Sequence, residues 1–436
     1  MTFIVRMGAC IAFAICLSGV GVSNAQPLKH ELKGLLKDNP EILARQKEVE
    51  SVRQGVDIAI AGFLPRVDAT GEIGPEHIKS PLTDEGEQDW SSTRQLAGVK
   101  LTQNVFDGFE TPAEVKTARL NLEVAEFTYS GTRQNILFEG IRAYVEVLRN
   151  LRLVELARLQ EETIKVQLEL EDERVLRGSG IAVDVLQAKS RLQVAKERRV
   201  AFEGALEDGI SRYIQIFNHA PDLANLTDPD PPKDLLPGDL DLALKIAEQE
   251  NPIINSSLAT VAVASERRRL ARSDFYPTLD VVAQANVEKD FDLVQGTRRE
   301  FSVVLQATWN LFNGFATKSS VAQAAFDYRA SLDNLETSTR EVLEGTRIAW
   351  HELLTARKRV DLLENGVNIA EEVFIARRKL RQAGKETVIN VLDSENEVNN
   401  ARINLTDASY DSSIAVYRVL QGMGRLDVNH LQLHAN

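Results

Sequence analysis

The chain repeats itself. Asn39-Pro40 recurs as Asn251-Pro252, and Phe63-Leu64-Pro65 as Phe275-Tyr276-Pro277, each 212 positions later. Beyond that point the spacing is 206. Phe106-Asp107-Gly108-Phe109 matches Phe312-Asn313-Gly314-Phe315, and Tyr144 matches Trp350. Gly178 matches Gly384, Asp184-Val185-Leu186 matches Asn390-Val391-Leu392, and Arg212 and Gln215 match Arg418 and Gln421. One six-residue length difference, between the Pro and Gly-Phe motifs, accounts for the change of spacing. A tandem duplication of this kind makes the chain two copies of one structural unit. The first copy spans 26–218 and the second 239–423, with 424–436 left as a C-terminal tail. Between the copies, 219–238 holds five of the thirteen prolines (Pro221, Pro229, Pro231, Pro232, Pro237), a density that forbids a helix or a central strand.

Each copy reads as helix, two strands, long helix, helix. The opening helices run from about Pro27 to Gly62 and from Leu240 to Asp274, with Asn39 and Asn251 as caps and Pro40 and Pro252 in first turns or at kinks. The apolar period then changes from 3.6 to 2. Leu279, Val281, Ala283, Ala285 and Val287 alternate with mostly polar neighbours, as do Phe301, Val303, Leu305, Ala307, Trp309 and Leu311. The strand pairs therefore fall at about 64–107 and 277–312. Such strands exceed the ~9–11 residues needed to cross a bilayer. The long helices, 111–178 and 317–383, contain no proline beyond their first turn. Thr111-Pro112-Ala113-Glu114 reads as a capping box with Thr111 at the N-cap. A 3,4-spaced seam runs Val342, Thr346, Ala349, Leu353, Ala356, Val360, Leu363, Val367, Ala370, Phe374, which predicts coiled-coil-like packing. Final helices follow at 182–217 and 386–422. An opening and a final helix laid end to end match one long helix, so a cylinder wall of uniform height can be built. Pro65, Pro277, Gly108, Gly314, Phe109 and Phe315 mark strand–helix junctions, and Gly178 and Gly384 mark tight helix-tip turns.

Past the N-terminus no apolar stretch approaches the ~20 residues of a spanning helix. Ile253 to Ala264 comes nearest and is interrupted by Asn255, Ser256 and Ser257. The remaining route across a membrane is a closed β-barrel. Four strands cannot close one, so several chains must share it. Phe63, Phe106, Phe109, Phe275, Tyr276, Phe312 and Phe315 cluster at the strand ends and fit an interfacial aromatic girdle. Residues 1–25 read as a secretory signal: Arg6, then the apolar run Ala9 to Val22, then Ser23-Asn24-Ala25 as the cleavage site. Both cysteines, Cys10 and Cys16, lie inside it, so the mature chain has neither a disulfide nor a thiolate metal site. The net charge of −13 argues against a nucleic-acid partner. Arg267-Arg268-Arg269, the one strong basic run, reads as a solvated helix face. No HExxH, P-loop or zinc-spaced histidine cluster appears, so neither an enzyme nor a cofactor is expected.

In order and spacing, twice over, these motifs resemble the TolC family of outer-membrane channel-tunnels, and the resemblance covers the whole mature chain. It implies an α+β membrane protein: a homotrimer with four strands per chain in one transmembrane β-barrel, continued by a long α-helical coiled-coil barrel through the periplasm. It implies a cell outer membrane location and recruitment by a periplasmic adaptor (membrane fusion) protein and an inner-membrane ABC or RND-type transporter. The family's constriction lies just after the glycine turn. Here that segment runs from Glu386 through Asn390 to Asp393, with Asn390 where a first acidic ring is expected and Asp393 keeping the second. Copy one offers Asp184 and Gln187 at the matching places. The expected function is a passive export duct, first for type I protein secretion and alternatively for drug or metal efflux. The rival from another class is a soluble periplasmic coiled-coil adaptor or structural rod.

Overall fold

The structure is a computed structural model that describes residues 28–80, 88–291 and 294–433; the expected signal segment lies outside these residues. The first copy contains α1 (Leu28–Asp38), α2 (Pro40–Ile60), β1 (Arg66–Ser80), β2 (Gln88–Phe106), α3 (Glu110–Leu176) and α4 (Ala182–Phe217). The second contains α5 (Leu240–Glu250), α6 (Pro252–Leu270), β3 (Thr278–Phe291), β4 (Val294–Thr308), α7 (Ala316–Gln382) and α8 (Val388–Gly422). Each opening helix is thus two. Proline lacks the N–H that would continue the first helix and is preorganised to start the second. Asn39 and Asn251 stand extended between them, and their side-chain oxygens accept from the N–H of Glu41 and Ile42 and of Ile253.

Three local expectations need correction. Thr111 is not the N-cap of α3. Gly108 and Phe109 both take left-handed φ, so the helix starts at Glu110, and the Asp107 carboxylate accepts from both the N–H and the hydroxyl of Thr111. At the start of α7 the Asn313 side-chain oxygen likewise accepts from the Thr317 N–H, but its amide donates to the Thr317 hydroxyl at 2.7 Å. Second, β4 stops at Thr308 although alternation continues to Leu311. The Trp309 indole N–H donates to the Phe275 carbonyl at 3.1 Å, which ties the chain to the base of the sheet instead of extending the ladder. Third, α8 begins at Val388 rather than Glu386, because Thr387 caps it through a hydrogen bond from the Asn390 N–H.

The four strands form one antiparallel sheet in the order β1-β2-β3-β4. Its register sorts the side chains by chemistry. Val67, Leu101, Ala283 and Val303 form one cross-strand row, and Ala69, Val99, Ala285 and Phe301 the next. The intervening rows, Asp68-Lys100-Gln284-Ser302 and Thr70-Gly98-Asn286-Glu300, point to the opposite face. At Gly98 the absence of a Cβ lets the Asn286 and Thr70 side chains close over the backbone; a Cβ there would stand 2.5 Å from Asn286 Oδ1. On the polar face Arg94 bridges Glu72 and Glu76 and stacks 4.3 Å over the Phe291 ring. One face is apolar and bare, with Phe301 76% and Leu305 69% exposed; the other is charged. That is the pattern of a barrel wall with lipid outside and water inside. β1 and β4 end the sheet with no strand beyond them among the described residues.

The helices continue the strands in the same order. Near the sheet, α2 packs on α3, α3 on α6, and α6 on α7. Beyond mid-length α4 replaces α2 beside α3, and α8 replaces α6 between α3 and α7. α3 and α7 each have 67 residues, about 100 Å of helix. The α7 seam lies where its spacing predicts: Thr346, Ala349, Leu353, Ala356, Val367 and Ala370 are buried and the remaining seam residues half-buried. Repeat symmetry extends to ion pairs. Arg212–Glu146 (3.0 Å) in the first copy has its counterpart in Arg418–Glu352 (2.5 Å) in the second. Among the described residues no helix is long and apolar enough to cross a membrane.

The densest core is at mid-length, where α1, the proline-rich linker and the C-terminal tail wrap the bundle. Leu32, Leu35, Leu137, Ile141, Tyr144, Tyr213, Leu420, Met423 and Leu426 are almost wholly buried there. The Tyr144 hydroxyl donates to the Thr227 carbonyl (2.9 Å) and accepts from the Thr227 N–H (3.0 Å), so one side chain fastens the linker. Tyr144→Phe leaves both backbone groups unpaired and should cost about 1–3 kcal/mol, read as a lowered midpoint in urea denaturation of the detergent-solubilised protein.

Candidate functional site

At the end of the bundle remote from the sheet, both long helices close with the same backbone device. The N–H groups of Ser179 and Gly178 reach back to the carbonyls of Arg174 and Val175, at 2.9 and 3.0 Å. Those of Lys385 and Gly384 reach Leu380 and Arg381 at 2.9 and 3.0 Å. This is the Schellman arrangement, which places its glycine at positive φ: 77° at Gly178 and 73° at Gly384. The chain reverses and α4 and α8 start side by side. Ala188, Val388 and Leu392 bury one another across the two copies, with Leu168 of α3 beneath.

Around this apolar contact the structure distributes the residues expected at a constriction. Asn390 turns back along α8 and its amide donates to Glu386 Oε1 at 2.5 Å. Together with the Thr387 N–H (3.0 Å), that bond holds the Glu386 carboxyl below its ordinary range. Asn390 thus restrains a carboxylate one turn earlier instead of supplying one. Asp393 is half exposed, and its carboxylate pairs with Arg191 of α4. Gln187 is partly buried, and its side-chain oxygen has no hydrogen-bond partner. Asp184 is half-buried and is joined to none of these residues.

Sequence reasoning missed the arginines. Arg377 and Arg381 of α7 donate to the carbonyls of Asn390 (3.0 Å) and Glu386 (3.2 Å). Arg381 also lies 3.5 Å from Glu171 of α3, a buried carboxylate that Arg174 holds at 2.7 Å. The start of α8 is therefore gripped by α7, and one of the two arginines is itself held by α3. Arg198 Nη1 donates to Asn400 at 2.7 Å two turns beyond the Arg191–Asp393 pair. The available signal was arginines on α4 at helical spacing, Arg191 and Arg198, facing polar residues of α8 with the same seven-residue spacing.

At the sheet end, Pro65 and Pro277 directly precede β1 and β3, where a missing N–H interrupts no ladder. Gly108 (φ 68°) and Phe109 (71°), and Gly314 (67°) and Phe315 (66°), turn the chain from strand to helix. Phe109 stands edge-on to Phe106 (5.4 Å between centroids) and Tyr276 (6.1 Å), and Phe315 to Phe312 (5.5 Å). These aromatics form a collar at the foot of the apolar sheet face.

Residues 32–209 and 243–425 each match the family model described as "Outer membrane efflux protein". The chain belongs to this family. It is 24% identical over 431 residues to outer membrane efflux protein BepC of Brucella suis, covering 97% of this chain and 91% of that one. It is 25% identical to the alkaline protease secretion protein AprF of Pseudomonas aeruginosa, covering 92% and 85%. With the outer membrane protein TolC of Escherichia coli the identity is 22%, covering 97% and 87%. The solved outer membrane protein VceC of Vibrio cholerae superposes with a TM-score of 0.79 over 91% of this chain and 96% of that one, at 15% identity. Sheet, long helices and tips are thus those of an outer-membrane channel-tunnel, a passive export channel and not an enzyme. Its location is the outer membrane, with a large periplasmic tunnel. Channels of this family are homotrimers that work with a periplasmic adaptor and an inner-membrane transporter.

One buried carboxyl makes the lower wall sensitive to pH. Glu395 of α8 is buried against α3, accepting from Gln167 at 2.6 Å, and burial raises its pKa above the ordinary value. A raised carboxyl contributes fully below the unfolded pKa, and its contribution is lost as pH climbs through the folded pKa. Glu395→Gln keeps an acceptor for Gln167 without the ionisation. The variant should melt higher than the parent at pH 8, with the difference closing below about pH 4, as thermal denaturation across that range will show.

Proposed function

We propose that the protein is the trimeric outer-membrane duct of a type I secretion system, passing polypeptides handed over by an ABC-type inner-membrane transporter and its periplasmic adaptor. The observation that carries the duct reading is the continuity of the wall: four strands run into four helices in the same lateral order, polar on one sheet face and apolar on the other. Both lateral edges are left open, β1 with α2 and α4 on one side and β4 with α7 on the other. An open edge cannot face hydrocarbon, and three copies joined edge to edge give twelve strands. Polypeptide cargo is supported by the likeness to AprF, named for alkaline protease secretion, which holds over 92% of this chain. The second reading, small-molecule efflux, is supported by the likeness to BepC. Deleting the gene separates them. Loss of one or a few proteins from the culture medium with unchanged drug and metal sensitivity supports secretion, and the reverse pattern supports efflux.

At the tip, the same reading makes Asp393 the constriction carboxylate and Arg191 its counter-charge. Three Asp393 side chains close together repel unless neutralised by a bound cation or a nearby positive side chain, and Arg191 supplies that charge from within each chain. Glu386, restrained by Asn390, adds a second carboxylate one to two turns away. Gly178 and Gly384 keep both tips tight enough to converge. In planar bilayers Asp393→Ala should weaken block by divalent cations, whereas Arg191→Gln should strengthen it, by about tenfold in each direction for roughly 1.4 kcal/mol of changed interaction. Equal block in all three proteins would remove Asp393 from the constriction.

A further inference from the structure

The arginine run on α6 has a place in the fold that its sequence did not disclose. α6 leads through a single turn, Ser273–Phe275, into β3, so its last turn lies directly beneath the foot of the sheet. The side of the wall it faces follows from the aromatic collar. Phe106 pairs with Leu279 on the apolar sheet face, and Phe109 stands edge-on to Phe106, so Phe109 marks the lipid side. The Arg269 guanidinium lies 6.0 Å from the centre of the Phe109 ring. Arg268 lies 4.7 Å over the ring of Tyr328 on α7. Arg272 follows Arg268 by four residues and so continues the same helical face. Arg267 is different: it lines a separate hollow with Glu110, Asp274 and Asp327. The run therefore divides, with acidic neighbours around Arg267 and a basic face at Arg268, Arg269 and Arg272.

Two further observations bear on what this face does. α6 is flanked by α3 and α7 of its own chain, so neither side of it is an edge for joining another copy. The equivalent positions of the first copy are Val56, Asp57 and Ile60, and α2 ends at the same kind of junction with no basic residue in its last turn. The arginines are thus not needed to end the helix or to make the turn. Among the described residues, the one ion pair made by Arg268, Arg269 or Arg272 is that of Arg269 with Glu266 at 3.9 Å, and Glu266 is buried and held by Lys116 at 2.5 Å. Arg272 is exposed and forms no ion pair among the described residues. The face carries surplus positive charge at the level where an aromatic collar sits among lipid headgroups.

We propose that Arg268, Arg269 and Arg272 form a binding site for the headgroup of an anionic phospholipid in the periplasmic leaflet of the outer membrane, one site per chain. Guanidinium groups match a phosphodiester bidentately. Tyr328 and Phe109 hold two of them in place from behind, and the acyl chains lie along the apolar sheet face immediately above. The site sets the depth of the barrel at one point of each chain and favours phosphatidylglycerol or cardiolipin over phosphatidylethanolamine.

Native mass spectrometry of the purified full-length protein, mixed with equal amounts of phosphatidylglycerol and phosphatidylethanolamine, tests this. The parent should retain phosphatidylglycerol preferentially, and each Arg→Gln change should lower that retention by about fivefold. Arg267→Gln, on the other face, should leave it unchanged. R268Q/R269Q/R272Q should abolish the preference while conductance in bilayers persists. If the triple variant does not assemble, Arg272→Gln alone, which breaks no ion pair, carries the test. No lipid preference in the parent would overturn the proposal, as would equal retention by the parent and Arg272→Gln.

Discussion

A backbone N–H or C=O facing hydrocarbon without a partner costs several kcal/mol. That penalty governs the molecule. The sheet has two unpaired edges and one apolar face, so it is stable in a membrane only as part of a closed ring. Closure in turn requires the helices below to splay at the same angular spacing as the strands, because each strand runs into a helix within a few residues. The order α2-α3-α6-α7 beneath β1-β2-β3-β4 meets that requirement. The left-handed pairs Gly108-Phe109 and Gly314-Phe315 accomplish the change from flat ribbon to cylinder, at an energetic cost in the two phenylalanines that the aromatic collar helps to offset.

Helical packing alone does not hold so long a wall together. α3 and α7 bury narrow seams, and many larger side chains on α7 and α4 remain bare in the single chain, among them Phe326, Leu362, Leu186 and Val194. The thick apolar core lies at mid-length, where the wall is wrapped by segments of low regularity: α1, the linker and the tail. These are fastened by polar bonds to backbone. Gln134 donates to the Gly424 carbonyl at 2.8 Å and Asn251 to that of Gly422 at 2.9 Å, while Arg425 grips Glu250 with two bonds of 2.7 and 2.6 Å. The asparagine before each mid-helix proline therefore lies at this belt, and in the second copy it serves both as cap and as clamp.

Much of this was legible in the sequence because it is periodic. Duplication, strand alternation, the α7 seam and the glycine tips all express repeating geometry, and repetition survives translation into residue letters. Local starts and stops were less legible. Thr111 carries every mark of an N-cap, but the Gly-Phe turn moves the helix start and hands the cap to Asp107. Trp309 and Leu311 keep the strand rhythm after the ladder has ended, since side-chain periodicity does not report where a backbone stops pairing. The tips were least legible. Asp393 and Glu386 stand out as carboxylates, yet what neutralises or restrains them comes from Arg191, 202 positions earlier, and from an asparagine that looks like a lost acid. Side-chain pairing across the two copies has no signature along either one.

Gly108 and Gly314 occupy equivalent turns in different surroundings. A Cβ on Gly108 would stand 2.6 Å from the Ser273 carbonyl oxygen, while one on Gly314 would meet nothing within 4 Å. The first glycine is enclosed because the second copy packs against it; the second lies at the chain's open edge. A trimer has six such joints, and each chain makes one of them internally complete, three in all. The other three, at Gly314, are open in the single chain and are left for a neighbour to complete. Duplication has therefore supplied the chain with a template of its own subunit interface: the contact that binds one molecule to the next is rehearsed, already folded, between its two halves.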